Sequence, residues 1–402
     1  MTFTNPDLWL PGGKRHPIPH GLREPDLEEK TPMKMRLFLL RTSLLATLLA
    51  LCPAFLQADS SFIGGLTRIR KVTSTVPANG DVNPYGVAVV PATIGGLIQG
   101  HVLVSNFNAV SNLQGTGTTI MDIAPDGTTR QFAQINAASL PGPCPGGVGL
   151  TTALVVLRTG WVIVGSLPTS NGMSATAKAG CLLVLNGQGQ VVETFSGAAQ
   201  GVSINGPWDM TVFDLGAVAE LFVTNVLNGT VKANGAVVNR GTVVRIVLTI
   251  AGGSMPKEIQ RTIVGSGFPE KTDPNALVIG PTGLGLGADG TLYVADTVSS
   301  RIAAIPNAIM RGGSSGSGMT VSSGGALNGP LGLAIAPNGD ILTVNAGDGN
   351  IVETTPTGTQ VAVKGIDTSG QGGGTLFGLA VTPNKKGVYF VDDGNNTLDL
   401  LH

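Results

Sequence analysis

A hydrophobic pattern recurs six times along the chain: a run of small apolar residues, a turn, and a run of β-branched and aromatic residues. The clearest copy, at residues 280–296, reads GPTGLGLGADGTLYVAD. This alternation predicts two strands joined by a tight turn. The dipeptides Asp289-Gly290 and Asn338-Gly339 tolerate the positive φ angles of a type I′ turn. The copies span residues 83–106, 145–166, 205–225, 280–296, 328–345 and 376–392.

A second hairpin follows several of these copies, for example at residues 120–132, 181–195 and 351–363. Two hairpins make a four-stranded antiparallel blade, and six blades around an axis make a β-propeller. The last copy has only three strands, so we expect the strand at residues 62–76 to supply the fourth and close the ring. The alternative is an unpaired N-terminal segment. The predicted fold is all-β, with one six-bladed propeller over residues 59–402.

Composition agrees with many short strands and tight turns. The chain has 402 residues, of which 59 are Gly, and only 12% are charged. The net charge is −1, with no basic patch of the kind that binds nucleic acid. A Gly-rich run at residues 311–325 lacks the lysine and the spacing of a phosphate-binding loop, and we interpret it as a flexible surface loop.

Residues 33–58 have the pattern of a secretory signal peptide, with a basic start, an apolar stretch and Ala58 at the cleavage position. We expect residues 1–32 to be a non-native upstream extension. The hypothesis is a secreted or periplasmic monomer with no stable membrane span after cleavage. An uncleaved anchor and a lipid anchor on Cys52 are the alternatives.

Two cysteines remain after the signal, Cys144 and Cys181. An even pair in an exported chain predicts a disulfide. Metal binding is the weaker alternative, because two thiolates do not complete a zinc site.

The pattern Gly-Pro-x-Gly-Leu, then Tyr-Val-Ala-Asp, then Arg-Ile resembles the NHL repeat. Residues 280–302 match it best, and residues 329–351 and 377–398 match more loosely. The resemblance implies a six-bladed propeller. It implies little about function, because such propellers bind proteins, sugars or RNA, and some are enzymes.

The second strand of nearly every copy ends in Asn or Asp. In a four-stranded meander these ends share one rim with the loops that lead into the first strands, near Asn83, Asn205 and Asn328. We therefore predict a ring of polar side chains around one channel mouth, to which Trp208 could add an aromatic platform. Turn formation is the alternative role for each residue. The ligand-binding candidates are Asn106, Asn225, Asp296, Asn345, Asp392, Asp209 and Trp208.

No catalytic set is recognisable. Peptidylglycine amidating lyase and streptogramin lyases resemble this fold but rely on several His residues, and only His101 lies within the repeats. Gluconolactonase-like propellers bind a metal with Glu, Asp and Asn, a set that Glu220, Asp209, Asn225 and Asp296 could supply. No cofactor is expected, although a divalent cation such as calcium could bind. The leading hypothesis is a binding or scaffold module for a protein, glycan or small molecule. The alternative is a metal-dependent hydrolase or lyase.

Overall fold

Six antiparallel sheets form a closed ring in the computed structural model, which describes residues 61–402. The innermost strand of each sheet contacts those of the two neighbouring sheets, all the way round. The predicted six-bladed β-propeller is therefore confirmed. The predicted upstream extension and signal peptide lie outside the described residues. No helix within residues 61–402 is long and apolar enough to cross a membrane.

The first fifteen strands are β1, which belongs to the last blade, and the strands of the first three blades. They are β1 (Ile69–Ser74), β2 (Val82–Val89), β3 (Val102–Asn108), β4 (Thr119–Ile123), β5 (Thr129–Gln134), β6 (Leu150–Val156), β7 (Val162–Ser166), β8 (Cys181–Leu185), β9 (Val191–Ala199), β10 (Val202–Ile204), β11 (Pro207–Asp214), β12 (Val218–Asn225), β13 (Val238–Thr249), β14 (Lys257–Asp273) and β15 (Leu277–Ile279).

The last three blades are more regular. Their strands are β16 (Pro281–Leu286), β17 (Leu292–Asp296), β18 (Arg301–Ile305), β19 (Met319–Ser323), β20 (Pro330–Ile335), β21 (Ile341–Asn345), β22 (Asn350–Thr354), β23 (Gln360–Gly365), β24 (Leu376–Val381), β25 (Val388–Asp392) and β26 (Thr397–Leu401). The helical segments are short: α1 (Thr230–Ala233) and 3₁₀ turns at Ile63–Gly65, Ala137–Ser139, Ser174–Thr176 and Ala251–Gly253.

Blades 1 to 5 begin at β2, β6, β11, β16 and β20, and blade 6 begins at β24. Blades 2 and 3 each carry a fifth, three-residue strand, β10 and β15, beyond the predicted four. Strand β1 pairs with β26 and completes blade 6, as predicted. The strand covers Ile69–Ser74, and a 3₁₀ turn precedes it.

The ring is also held shut by a buried carboxylate in blade 5. Glu353 accepts hydrogen bonds from the Ser61 hydroxyl at 2.6 Å and from the backbone amides of Phe62 at 2.6 Å and Ile63 at 2.8 Å. Ile63 is fully buried against residues of blades 5 and 6. The start of the described chain is therefore fixed both by strand pairing and by side-chain hydrogen bonds.

The apolar core lies between the faces of neighbouring blades. Between blades 2 and 3, for example, Ile163 and Val184 pack with Val244 and Ile246, and all four are fully buried. The disulfide between Cys144 and Cys181 is present, as predicted, and ties the loop before β6 to the start of β8. Two expectations about loops are wrong. The outer strand β19 lies within the Gly-rich run expected to be a flexible loop.

The second correction concerns the inner hairpin turns. Gly290 and Gly339 have positive φ angles, whereas Asp289 and Asn338 do not. A type I′ turn needs positive φ at both central residues, so these turns are not of that type. The Gly290 amide bonds to the Gly287 carbonyl, and the Gly287 amide bonds to the Thr291 carbonyl. This is a three-residue connection that ends in a left-handed glycine.

Glycines let the inner strands approach one another closely near the axis. A Cβ on Gly332 would lie 1.8 Å from the Phe377 carbonyl oxygen, and one on Gly378 would lie 2.2 Å from that of Tyr85. Gly283 is similarly close to Leu331. In blade 3 the strand register places Asp209 at the equivalent position, because Pro207 and Met210 pair as Pro281 and Leu284 do.

Candidate functional site

Loops at the end of the ring where the inner strands begin surround a cavity of about 1010 Å³, which we call the mouth. Loops of blades 1, 3, 4, 5 and 6 line it. The inner strands begin here, so the mouth is one end of the central channel. Its size is at the upper end of the range for small-molecule sites.

Stacked aromatic rings close the channel beneath the mouth, and we call them the floor. The Tyr85 ring lies 3.7 Å from that of Phe377 and 4.4 Å from that of Phe107, centroid to centroid, with small interplanar angles. Trp208 lies 6.4 Å from Phe377 and is buried. Phe377 also lines the mouth. Phe377 borders the cavity but is only 1% exposed, and Trp208 packs behind it, so the aromatic platform expected at Trp208 stays an untested prediction.

The Tyr85 hydroxyl is buried and has no hydrogen-bond partner in the described part of the chain. Burial raises the pKa of Tyr85 well above its ordinary value, and the charges of Asp393 and Asp273 raise it further. Asp273 and Asp393 both line the mouth. The phenol is therefore neutral, with a donor and an acceptor left unused at the base of the site.

An arm from blade 3, residues 271–279, reaches over the mouth. The Pro274 carbonyl accepts a hydrogen bond from Gln114 Nε2 of blade 1 at 2.6 Å, and the Asp273 carbonyl accepts one from Ser174 Oγ of blade 2 at 2.7 Å. Leu277 is fully buried in the cluster that contains the floor. It has a φ of 63°, which is strained for a residue with a branched side chain.

Carboxamides and hydroxyls dominate the polar lining of the mouth. Within residues 61–402, the side-chain amides of Asn83, Asn275 and Gln371 make no hydrogen bond to protein groups, and Gln114 Oε1 is buried without a donor. Thr297 and Ser300 add hydroxyls. Unused donors and acceptors on several sides are suited to a ligand with many polar groups.

The charged groups of the mouth are few. Asp393 makes no side-chain hydrogen bond or ion pair to a described residue, and neither does Lys271. Burial raises the pKa of Asp393 to about 7, with further contributions from the charges of Asp392 and Asp367. Asp273 accepts hydrogen bonds from the amides of Asn275 at 2.9 Å and Ala276 at 3.3 Å, which fix the arm.

The predicted strand-end residues lie behind the mouth and bond to neighbouring loops. Asn106 Nδ2 donates to the Thr75 carbonyl at 3.0 Å. Asn225 Oδ1 accepts from the amides of Asn205 and Gly206 at 2.9 and 2.8 Å. All five strand-end candidates are almost fully buried, and none of them lines the cavity.

Asn345, Asp296 and Asp392 have similar roles. Asn345 Nδ2 donates to the Ala326 carbonyl at 2.7 Å, and Asp296 Oδ2 accepts from Arg301 Nε at 2.8 Å. Burial raises the pKa of Asp296, and Arg301 opposes that effect. Asp392 accepts from Thr368 and Ser369. The geometry therefore gives these residues the turn-forming role, and their binding of a ligand stays an untested prediction.

Asp209 lies below the floor. Its Oδ2 accepts a hydrogen bond from the Leu284 amide at 2.9 Å, and burial raises its pKa to about 7. Glu220 lies 3.6 Å from Arg245. The four residues considered for a gluconolactonase-type metal site thus have separate partners. Residues 61–402 contain no group of three or more His, Cys, Asp or Glu side chains arranged to hold a metal ion.

His101 does have a carboxylate partner, Asp122, at 2.8 Å from Nδ1, and Arg130 bonds to the same carboxylate. His101 directly precedes β3, which runs toward the mouth, so this cluster lies at the opposite face. Among described residues its ring makes no hydrogen bond to a serine or cysteine, so the geometry shows no nucleophile-base pair.

Sequence reasoning located the rim but missed most of its side chains. Asn83 and Asn328, expected near the rim, do line the mouth. The arm was missed, as were Gln371 and Asp393. One signal was present: the residue directly after a strand end lines the cavity, as Thr297, Ala346 and Asp393 do.

No protein-family profile matches the sequence, and no curated protein sequence matches it. Solved structures do. A gluconolactonase from Xanthomonas campestris matches with a TM-score of 0.54 and 15% identity, over 86% of this chain and 92% of that one. A putative gluconolactonase matches with a TM-score of 0.50 and 15% identity, over 83% and 91%. At this identity the likeness supports the six-bladed propeller fold alone. The NHL pattern remains a resemblance in sequence.

Proposed function

We propose that this protein is a binding module whose mouth takes a small, hydroxyl-rich ligand such as a sugar or the end of a glycan. One observation carries the proposal: a cavity of about 1010 Å³ holds unused amide groups of Asn83, Asn275 and Gln371 above an aromatic floor. A ligand that lacked polar groups would leave these donors and acceptors unsatisfied, at a cost of roughly 1–3 kcal/mol each once they are buried.

The floor gives the cavity an apolar base. Phe377 forms part of the cavity wall, with 1% of its surface exposed, and it stacks on Tyr85. A sugar that reaches this base would place its C–H groups against it while its hydroxyl groups reach the surrounding amides. Lys271 lies at the same wall and has no ion-pair partner among residues 61–402, so a sugar that carries a carboxylate would gain a further contact.

The test is titration calorimetry of the purified protein with a panel of neutral and acidic sugars. We expect saturable binding that Gln371→Ala weakens roughly tenfold, since one or two hydrogen bonds are lost. Gln188→Ala is the matched control, because Gln188 lies in the β8–β9 turn at the opposite face. Absence of binding across the panel, or equal binding by the Gln371 and Gln188 variants and the wild type, would contradict the proposal.

The second candidate is hydrolysis of a sugar lactone or related ester. It is favoured by Asp393, a mouth carboxyl with a pKa raised to about 7 and therefore suited to proton transfer near neutral pH. Among residues 61–402 no three His, Cys, Asp or Glu side chains are grouped to hold a metal ion, so Asp393 is the residue that would carry the proton transfer. Turnover of a lactone that Asp393→Asn abolishes, while sugar affinity persists, would favour this candidate over simple binding.

A further inference from the structure

A second cavity lies in the channel below the floor, and we call it the lower channel. Its volume is about 340 Å³, and inner strands of all six blades line it. The lining residues come later in each inner strand than those at the mouth, so this cavity lies toward the opposite face. The aromatic floor separates it from the mouth, so it is a distinct site.

Most of the lower channel's side chains are aliphatic, and one is charged. Asp209 is the only ionisable residue in the lining. Where blades 1, 4, 5 and 6 have a glycine, blade 3 has this carboxylate. The aliphatic lining residues include Val87, Leu154, Val212, Leu286, Ile335 and Val381.

Asp209 has no cationic partner in the described part of the chain. Asp209 is 8% exposed, and its Oδ2 accepts a backbone hydrogen bond from the Leu284 amide at 2.9 Å. Burial raises the pKa of Asp209 to about 7, although backbone hydrogen bonds from Met210 and Leu284 oppose that effect. A buried carboxylate of this kind is stabilised by a cation that brings its own hydrogen-bond donors.

A second unsatisfied group lines the same cavity. Thr152 is 4% exposed, and its hydroxyl is buried without a hydrogen-bond partner. Thr152 is on β6, whose neighbour in the ring is β11, the strand of Asp209. Native structures rarely leave such groups unpaired, and a polar ligand group beside Asp209 is one way to satisfy this hydroxyl.

We propose that the lower channel is a binding site for a small primary amine with an apolar chain. The ammonium group pairs with Asp209 and donates a second hydrogen bond to Thr152, and the chain lies along the aliphatic wall. A divalent metal ion does not fit, because one carboxylate and one hydroxyl fall far short of the six to eight oxygen ligands of calcium. A neutral ligand would leave the carboxylate without a counter-charge.

The test compares two probes of equal length, butylammonium and butan-1-ol, by titration calorimetry at neutral pH. We expect the amine to bind more tightly than the alcohol. Asp209→Asn keeps an acceptor for the Leu284 amide but removes the charge. It should weaken amine binding roughly 10- to 100-fold and leave the alcohol unchanged. Thr152→Val should weaken amine binding by a smaller factor.

Asp393→Asn is the matched control, because it removes a carboxylate from the mouth and leaves the lower channel intact. Loss of amine binding in this variant, with binding retained in Asp209→Asn, would place the amine in the mouth and overturn the proposal. Equal affinity for amine and alcohol, or binding only of sodium or calcium ions, would also overturn it. Should Asp209→Asn fail to fold, the Thr152→Val variant and a series of alkylammonium ions from methyl to hexyl would decide whether the amine binds in the lower channel.

Discussion

Asp209 Oδ2 accepts a hydrogen bond from the Leu284 amide at 2.9 Å, and this bond links the innermost strands of blades 3 and 4. In blades 1, 4, 5 and 6 the equivalent position is a glycine that packs closely on a neighbouring strand. One blade therefore replaces close backbone packing with a side chain. That exchange places an ionisable group inside the channel and makes the stability of the ring dependent on pH.

We predict that Asp209 destabilises the fold as the pH rises. Burial raises its folded-state pKa to about 7, from an ordinary value of 3.8. The neutral carboxyl is fully tolerated below the unfolded pKa, and stability is lost as the pH rises from about 4 through 7, by up to roughly 4 kcal/mol. Asp209→Asn stays neutral. Urea unfolding from pH 4.5 to 8.5 should show wild-type stability falling relative to this variant. A constant difference would contradict the prediction.

We predict that Gly332→Ala severely destabilises the propeller. The new Cβ would lie 1.8 Å from the Phe377 carbonyl oxygen, so two inner strands must separate. We expect a loss of roughly 3 kcal/mol or more in the free energy of unfolding. Gly312→Ala is the control, because no atom lies within 4 Å of its Cβ position. Similar melting temperatures for the two variants would refute the close-packing account.

Reduction of the Cys144–Cys181 disulfide should lower stability by roughly 2–5 kcal/mol. The bond closes a loop of the unfolded chain and joins the segment before β6 to buried Cys181. Guanidinium unfolding of the wild type, with and without reductant, measures the loss. The double variant Cys144→Ser/Cys181→Ser should match the reduced wild type and should not respond to reductant.

Glu353→Gln should release the N-terminal segment from blade 5. The carboxylate accepts three hydrogen bonds from residues 61–63, and an amide group cannot accept all of them. Burial alone would raise the pKa of Glu353, but these bonds outweigh it and lower the pKa. The attachment is therefore present above the ordinary value of 4.5 and lost as the pH falls through the lowered value.

Hydrogen exchange at the amides of Phe62 and Ile63 is the direct measurement of that release. We expect faster exchange in Glu353→Gln at neutral pH, and in the wild type only at acid pH. Ser61→Ala removes one of the three bonds and should give an intermediate rate. Unchanged protection in Glu353→Gln would mean that the pairing of β1 with β26 alone holds the segment.

The architecture could be predicted from the sequence because the same hairpin pattern occurs six times. The β1–β26 closure followed from counting strands, and the Cys144–Cys181 pair from cysteine number and the predicted export. The site was harder to predict. In a strand the side chains alternate, so Asp392 turns into a loop while Asp393, one residue later, faces the cavity. A pattern of polar strand ends cannot show which neighbour is exposed. The arm has no counterpart in the other blades, so no repeat predicted it.

The closure of blade 6 has a consequence for how the chain folds. The His402 carbonyl accepts hydrogen bonds from the amides of Thr67 and Arg68 at 3.1 and 2.9 Å, so segments far apart in the sequence close the ring. Until β1 and β26 pair, each of them is an unpaired sheet edge that another chain can bind. Closure of the ring therefore protects both edges from association with other chains.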